Sequence, residues 1–231
     1  MPTLTLDKLY ELVLEYFATK IPCISKPVNS ITEYIKTNTL ELSEAFKQEE
    51  FTNINSNAKY AFLLGYLHIQ GLVVQKSIDS AFKYFKIAAE NGDTLGSLWL
   101  GTCYLENIGT PTTHNEGNKK EGIHWYEKSA KSGNYATQSF LAEYYSLLQP
   151  NYDPAKVFYW RNLGAESGSQ AAQLATARLY VRGKGTNKDL HCALRLYLKS
   201  GFFETMKIDL EIKNVNYRRR RCCFLKNIIS S

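Results

Sequence analysis

At 231 residues, 44% hydrophobic and 22% charged, the chain holds enough apolar material for a packed core and too much for a disordered one. Its net charge of +6 is uneven: residues 202–231 hold seven Lys/Arg against three Asp/Glu, so the body before them is nearly neutral, which argues against a nucleic-acid-binding fold. The five cysteines (Cys23, Cys103, Cys192, Cys222 and Cys223) are odd in number, irregularly spaced and without a CxxC pair, which excludes a disulfide framework and points to reduced thiols in the cytosol or nucleus.

The first segment, Met1 to Phe17, has no basic n-region and carries Asp7, Glu11 and Glu15, so it is not read as a signal peptide. Residues 5–19 are predicted as an amphipathic helix with Leu6, Leu9, Tyr10, Val13 and Phe17 on one face. Pro22 and Pro27 bound the next loop. Ser30-Ile31-Thr32-Glu33 has the form of a capping box, in which the Ser hydroxyl and the Glu carboxylate satisfy each other's backbone N–H groups. Two apolar stripes follow, Ile31, Tyr34, Ile35 and then Leu42, Ala45, Phe46, with Asn38 as the break between them. Gln48 to Asn57 is polar and reads as a linker, so residues 1–56 are predicted to be an N-terminal helical capping segment. The longest apolar-rich stretch, Ala61 to Val74, contains His68 and Gln70 and is too short to span a bilayer.

A phrase of about 36 residues then recurs. Leu64-Gly65, Gly71, Tyr84-Phe85, Ala88-Ala89 and Gly92 return as Leu100-Gly101, Gly109, Trp125-Tyr126, Ser129-Ala130 and Gly133. A fixed period of this length predicts stacked helical hairpins, because one hairpin cannot bury its apolar face alone. Four units are predicted, at 57–92, 93–133, 134–168 and 169–201, each a helix A followed by a helix B. Tyr104 to Tyr145 spans 41 residues, against 35 from Tyr145 to Tyr180. The polar stretch Thr110 to Lys120 is therefore predicted as a loop insertion in the second unit. Gly65, Gly101, Ala142 and Ala177 are small where helix B must approach helix A, and Tyr84-Phe85, Trp125-Tyr126 and Tyr159-Trp160 supply bulk between layers. Gly92, Gly133 and Gly168 sit where a left-handed residue ends helix B. Residues 202–231 form a divergent basic tail, whose run Arg218 to Arg221 reads as a solvated end or as a contact for anionic surfaces or nuclear import.

The pattern Leu-Gly-x-x-Tyr-x-x-Gly-x-Gly, followed by Tyr/Trp-Tyr-x-x-Ala-Ala-x-x-Gly, resembles the Sel1-like repeat, a relative of the tetratricopeptide repeat, from about Asn57 to Gly201. Unit three departs from it, with Gln149-Pro150-Asn151 in place of the turn glycines; unit one has Val73 for a turn glycine and His68 for Tyr. Unit four has Glu204 where a closing glycine is expected, so its last helix is expected to run on into the tail. The resemblance implies an all-α fold, a right-handed superhelical array of antiparallel helix pairs, and a non-catalytic adaptor or scaffold that binds a partner peptide or domain in signalling or complex assembly. It also implies that helix A lines a concave groove. The groove positions are Phe62, Tyr66 and Ile69 in unit one, and Leu98, Thr102, Leu105 and Glu106 in unit two. They continue with Glu143, flanked by Ser139 and Ser146, in unit three, and with Arg178 and Arg182, beside Leu174 and Val181, in unit four. Aromatics at one end and arginines at the other suit a peptide with an apolar anchor and an acidic end. The competing expectation is that Phe62, Tyr66 and Leu98 pack against the N-terminal helices, since the first repeat needs a cap.

No HExxH, GxSxG, Walker A or GxGxxG motif occurs, and His68, His114, His124 and His191 fall on separate segments, so no catalytic residue, cofactor or metal is expected. The same groove would serve a secreted or translocated effector or inhibitor, which is the second reading. A third, an enzyme of the branch described as β-lactam hydrolases, finds no support in cysteines that ignore the repeat or in any nucleophile–base pair. The location expected is cytoplasmic or nuclear, with no membrane span.

Overall fold

A computed structural model describes residues 2–18, 29–47, 57–110, 116–147, 152–202, 205, 206 and 209. The predicted linker 48–56, the turn at Gln149-Pro150-Asn151, His114 and the tail from residue 210, with Arg218 to Arg221, lie outside them. The chain forms two compact units, 1–141 and 142–231. Among the described residues all regular structure is helical, in the order α1 (Pro2–Phe17), α2 (Asn29–Thr37), α3 (Thr39–Lys47), α4 (Ala58–Gln70), α5 (Ile78–Glu90), α6 (Thr94–Glu106), α7 (Glu116–Lys131), α8 (Tyr135–Leu147), α9 (Pro154–Glu166), α10 (Gln170–Arg182) and α11 (Leu190–Ser200). The all-α array of helix pairs is thus as expected. In the first unit α4 pairs with α5 and α6 with α7, and α5 also packs on α6. In the second, α10 packs on both α9 and α11.

The repeat is set by its caps. Asn57, Asp93 and Ser169 start α4, α6 and α10, each accepting from the backbone N–H three residues on. Asn134 does the same for Thr137 at the start of α8. Such caps contribute about 1 kcal/mol each. Directly before three of these residues stands a glycine at positive φ: Gly92 at 87°, Gly133 at 95° and Gly168 at 99°. The capping residue's own N–H turns back onto the preceding helix: Asp93 to the Ala88 carbonyl at 3.0 Å, Asn134 to Ser129 at 3.2 Å, and Ser169 to Gly164 at 3.1 Å. One helix is therefore closed and the next opened by two adjacent residues.

Helix A and helix B touch where the sequence is small. A Cβ on Gly65 would lie 2.8 Å from the Phe85 ring, and one on Gly101 would overlap the Tyr126 ring and approach the Gly122 carbonyl to 3.0 Å. Phe85, Tyr126 and Trp160 are buried. Tyr159, expected to fill space between layers, is 48% exposed, so Trp160 alone carries that role in unit three.

Three expectations are corrected. Ser30 lies inside α2, which begins at Asn29, so it is not the cap. The insertion is shorter than Thr110 to Lys120, because α7 begins at Glu116. Its extra turn is held by the buried Asn118, whose amide donates to the Asn107 side chain at 2.7 Å. Unit four does not run on: Gly201 takes φ 73° and closes α11 with its N–H on the Leu198 carbonyl.

The turn between helices A and B shows what its glycines do. A Cβ on Gly109 would sit 3.0 Å from the Ile78 carbonyl, and one on Gly185 would overlap the Pro154 carbonyl; both carbonyls belong to the first residue of the preceding repeat's helix B. Val73 holds the same place in unit one and is forced to φ 67°. A β-branched residue there is strained. Val73→Gly is expected to stabilise the chain by about 1 kcal/mol, strain relief outweighing the added chain entropy. A thermal midpoint that falls would refute this. Gly101→Leu should cost about 1–3 kcal/mol through overpacking, and an unchanged midpoint would discard the close approach of α7 to α6 at this residue.

Candidate functional site

The helix A positions singled out by the repeat divide by burial. Phe62, Tyr66, Ile69, Leu98 and Thr102 are each no more than 3% exposed. Phe62 and Tyr66 belong to the seat of α1. The Tyr10 ring stands edge-on to Phe62 at 5.9 Å, and Phe17 meets Tyr66 at 6.4 Å and Trp99 at 5.3 Å, centroid to centroid. Leu6, Leu9 and Val13 complete the buried face of α1. For Phe62 and Tyr66 the structure therefore follows the competing expectation, and Leu98 is buried.

Polar anchors fix this seat. The Tyr10 hydroxyl donates to Asp93 Oδ2, on the same carboxylate that caps α6. Burial pushes the Asp93 carboxyl above its ordinary range, partly offset by the bonds from Tyr10 and from the Gly96 and Leu95 N–H groups. At the other end of α1, the Asn134 amide donates to the Phe17 carbonyl at 2.9 Å and the Ala136 N–H to the Ala18 carbonyl at 3.3 Å. The Tyr66 hydroxyl and the Trp99 ring N–H are buried with no acceptor among the described residues. Covering this face with apolar side chains therefore costs about 1–3 kcal/mol for each donor.

Thr102 is buried away from α1, and the positions not yet placed are open to different degrees. Thr102 Oγ1 bonds the Tyr126 hydroxyl at 2.9 Å inside the α6–α7 pair. Leu105 is half-buried, close enough to Gly122 that a Cβ there would lie 2.6 Å from its Cγ. Glu106 is exposed at the end of α6. In the second unit Glu143 and Arg182 are exposed, and the Arg178 side chain is 42% exposed. Arg178 is engaged: its Nε donates to Asp209 Oδ2 at 2.8 Å, and the hydroxyl of the buried Tyr197 donates to the same oxygen at 2.7 Å. Tyr197 and Asp209 escaped sequence reasoning because nothing in the repeat links residue 178 to a residue 31 positions later in the tail.

The groups that could carry chemistry are packed apart. Burial pushes the Cys103 thiol up to about 12, which leaves no thiolate for attack at neutral pH. His68 stacks on Tyr84 at 5.5 Å with Nδ1 3.0 Å from the Gln75 carbonyl. Among the described residues no three His, Cys, Asp or Glu side chains are grouped to hold a metal ion, and no helix is long and apolar enough to cross a membrane.

The Sel1 repeat profile matches residues 58–93, 97–134 and 170–201. The third hairpin falls outside the match, consistent with its missing turn glycines. Over 128 residues the chain is 28% identical to a Sel1-like repeat-containing protein of Acanthamoeba polyphaga mimivirus, covering 55% of this chain and 22% of that protein. It is also 28% identical over 173 residues to protein sel-1 homolog 2 of Rattus norvegicus, covering 71% of this chain and 23% of that one. The chain thus spans less than a quarter of either relative. The crystal structure of a Sel1 repeat protein from Oxalobacter formigenes superposes with a TM-score of 0.55 at 26% identity, over 74% of this chain and 71% of that one.

Tyr10→Phe deletes only the hydroxyl that meets Asp93. It is expected to cost about 1–3 kcal/mol, because a buried carboxylate loses a donor. Thermal denaturation followed by circular dichroism reads the loss, and an unaltered midpoint would mean that the bond is replaced by solvent.

Proposed function

The chain is a Sel1-like repeat protein, and we propose that it acts as a non-catalytic adaptor or scaffold in signalling or complex assembly, within the cytoplasm or nucleus. Sel1 repeats are protein–protein interaction modules. The partner contacts assigned by this reading are the helix A positions that remain accessible: Leu105 and Glu106 in the first unit, and Glu143, Arg178 and Arg182 in the second. Phe62, Tyr66, Ile69, Leu98 and Thr102 are buried and serve the fold instead, Phe62 and Tyr66 under α1 and Thr102 in the α6–α7 contact. The observation that carries the proposal is this sorting of one repeated position by exposure. Tyr66 and Thr102 are enclosed, whereas the equivalent Glu143 is exposed and Arg178, 42% exposed, is paired with Asp209.

Charged side chains at accessible positions of a rigid scaffold select partners by complementary charge more than they add affinity. Glu143→Lys/Arg182→Glu reverses two of them without touching a buried group. Tagged wild type and variant are compared by affinity capture and mass spectrometry, after circular dichroism shows equal helix content. The expected result is a set of proteins held by the wild type and lost by the variant. If both capture the same set, helix A is not the working face, and the insertion, helix B or the tail must replace it.

A further inference from the structure

The near-neutral body is a balance of two opposite stretches. Residues 1–151 hold 13 Lys/Arg against 16 Asp/Glu, whereas 152–201 hold eight against three. Within the second unit the fold gathers part of this basic excess at one edge. The turn between α10 and α11 lies against the start of α9, where a Cβ on Gly185 would overlap the Pro154 carbonyl and stand 3.0 Å from the Phe158 Cβ. Lys184, in that turn, places its Nζ 4.8 Å from the centroid of the Tyr152 ring, just before α9. Lys156, in the first turn of α9, lies over the Tyr145 ring of α8 at 4.7 Å. Lys188 closes the turn, its backbone N 3.4 Å from where a Cβ on Gly183 would lie. All three lysines are exposed.

The charge at this edge is held in place but not neutralised. Among the described residues none of the three lysines forms an ion pair. An aromatic face steadies the ammonium above it and leaves its full charge to a partner. The acids nearby are engaged otherwise. Asp153 accepts from the Ala155 and Lys156 N–H groups, and Asp189 from those of His191 and Cys192. Each carboxylate is thereby set against the positive end of a helix. Arg182 ends α10 one residue before the turn, so the edge is continuous with the accessible helix A contacts. We infer that this edge, formed by Lys156, Lys184 and Lys188, is a docking site for a carboxylate-rich segment of a partner protein. Cations fixed in advance select such a segment and speed its encounter more than they add affinity. Nucleic acid fits less well, because a phosphate backbone is gripped by cations along a track and the acidic residues of 1–151 oppose a long polyanion. The inference rests on the adaptor reading and supplies the partner's chemistry.

The probe is a fluorescein-labelled hexaglutamate peptide, titrated by anisotropy against the full-length protein at low ionic strength, where exposed charges are least screened. Lys156→Gln/Lys184→Gln/Lys188→Gln is expected to weaken binding at least about tenfold. Lys83→Gln/Lys120→Gln/Lys131→Gln removes the same charge from exposed positions of the first unit and is expected to leave binding unchanged. Equal losses in the two variants, or no binding by the wild type, overturn the inference. So does a labelled oligothymidylate that binds the wild type more tightly than the peptide and weakens in the first variant, which would assign the edge to nucleic acid. Should the first variant lose helix content by circular dichroism, Lys184→Gln/Lys188→Gln, confined to the turn, carries the same comparison. Failure of the peptide while captured proteins still depend on Glu143 and Arg182 discards this site only. Failure in both experiments discards the adaptor reading with it.

Discussion

Everything in the array depends on how one helix stops and the next begins within two residues. Gly92-Asp93, Gly133-Asn134 and Gly168-Ser169 each combine a left-handed residue, which lets the chain reverse, with a side chain that caps the following helix. The N–H of the second residue returns to the helix just ended, so the junction leaves little freedom in the angle between helix B and the next helix A. Packing completes what the junction starts. The Gln138 amide donates to the Ala130 carbonyl at 2.9 Å, and Gln173, at the same place in the next repeat, donates to Ala165 at 3.3 Å. Both tie helix A to the helix before it.

A solenoid has two ends, and each must cover an exposed helix A face. The two ends solve this differently. At the first repeat, α1 buries Leu6, Leu9, Tyr10, Val13 and Phe17. At about 1.5–3 kcal/mol for each large apolar side chain, that seat is part of the core. At the last repeat Met206 packs on the cluster of Ala177, Val181, Ala193 and Tyr197, and Arg178 and Tyr197 hold the Asp209 carboxylate. Both coverings come from outside the repeat, which sets them apart from the caps and turns within it.

The same difference separates what could be read early from what could not. The period, the small residues at Gly65 and Gly101 and the glycines closing helix B were legible because each is a local steric requirement that recurs. The glycines at the Gly-x-Gly end of the repeat pattern, here Gly109 and Gly185, were legible from that pattern as turn residues only. Their real constraint is the carbonyl of Ile78 or Pro154 in the preceding repeat, a contact across layers that no spacing within one hairpin reveals. The amphipathic face of α1 was visible as Leu6, Leu9, Tyr10, Val13 and Phe17, but not what it covers. Asn134 reaches the Phe17 carbonyl across 117 positions.

By itself, the sequence determined the helix pairs, their order and the glycines that close helix B, because these follow from short-range sterics repeated every 35 to 41 residues. Only the tertiary structure decided which copies of one equivalent position are enclosed. Tyr66 and Thr102 are buried, Arg178 is held by Asp209, and Glu143 is exposed. The physical reason is that the repeat specifies a face, whereas what lies on that face comes from segments outside the repeat, placed by long-range packing that carries no period.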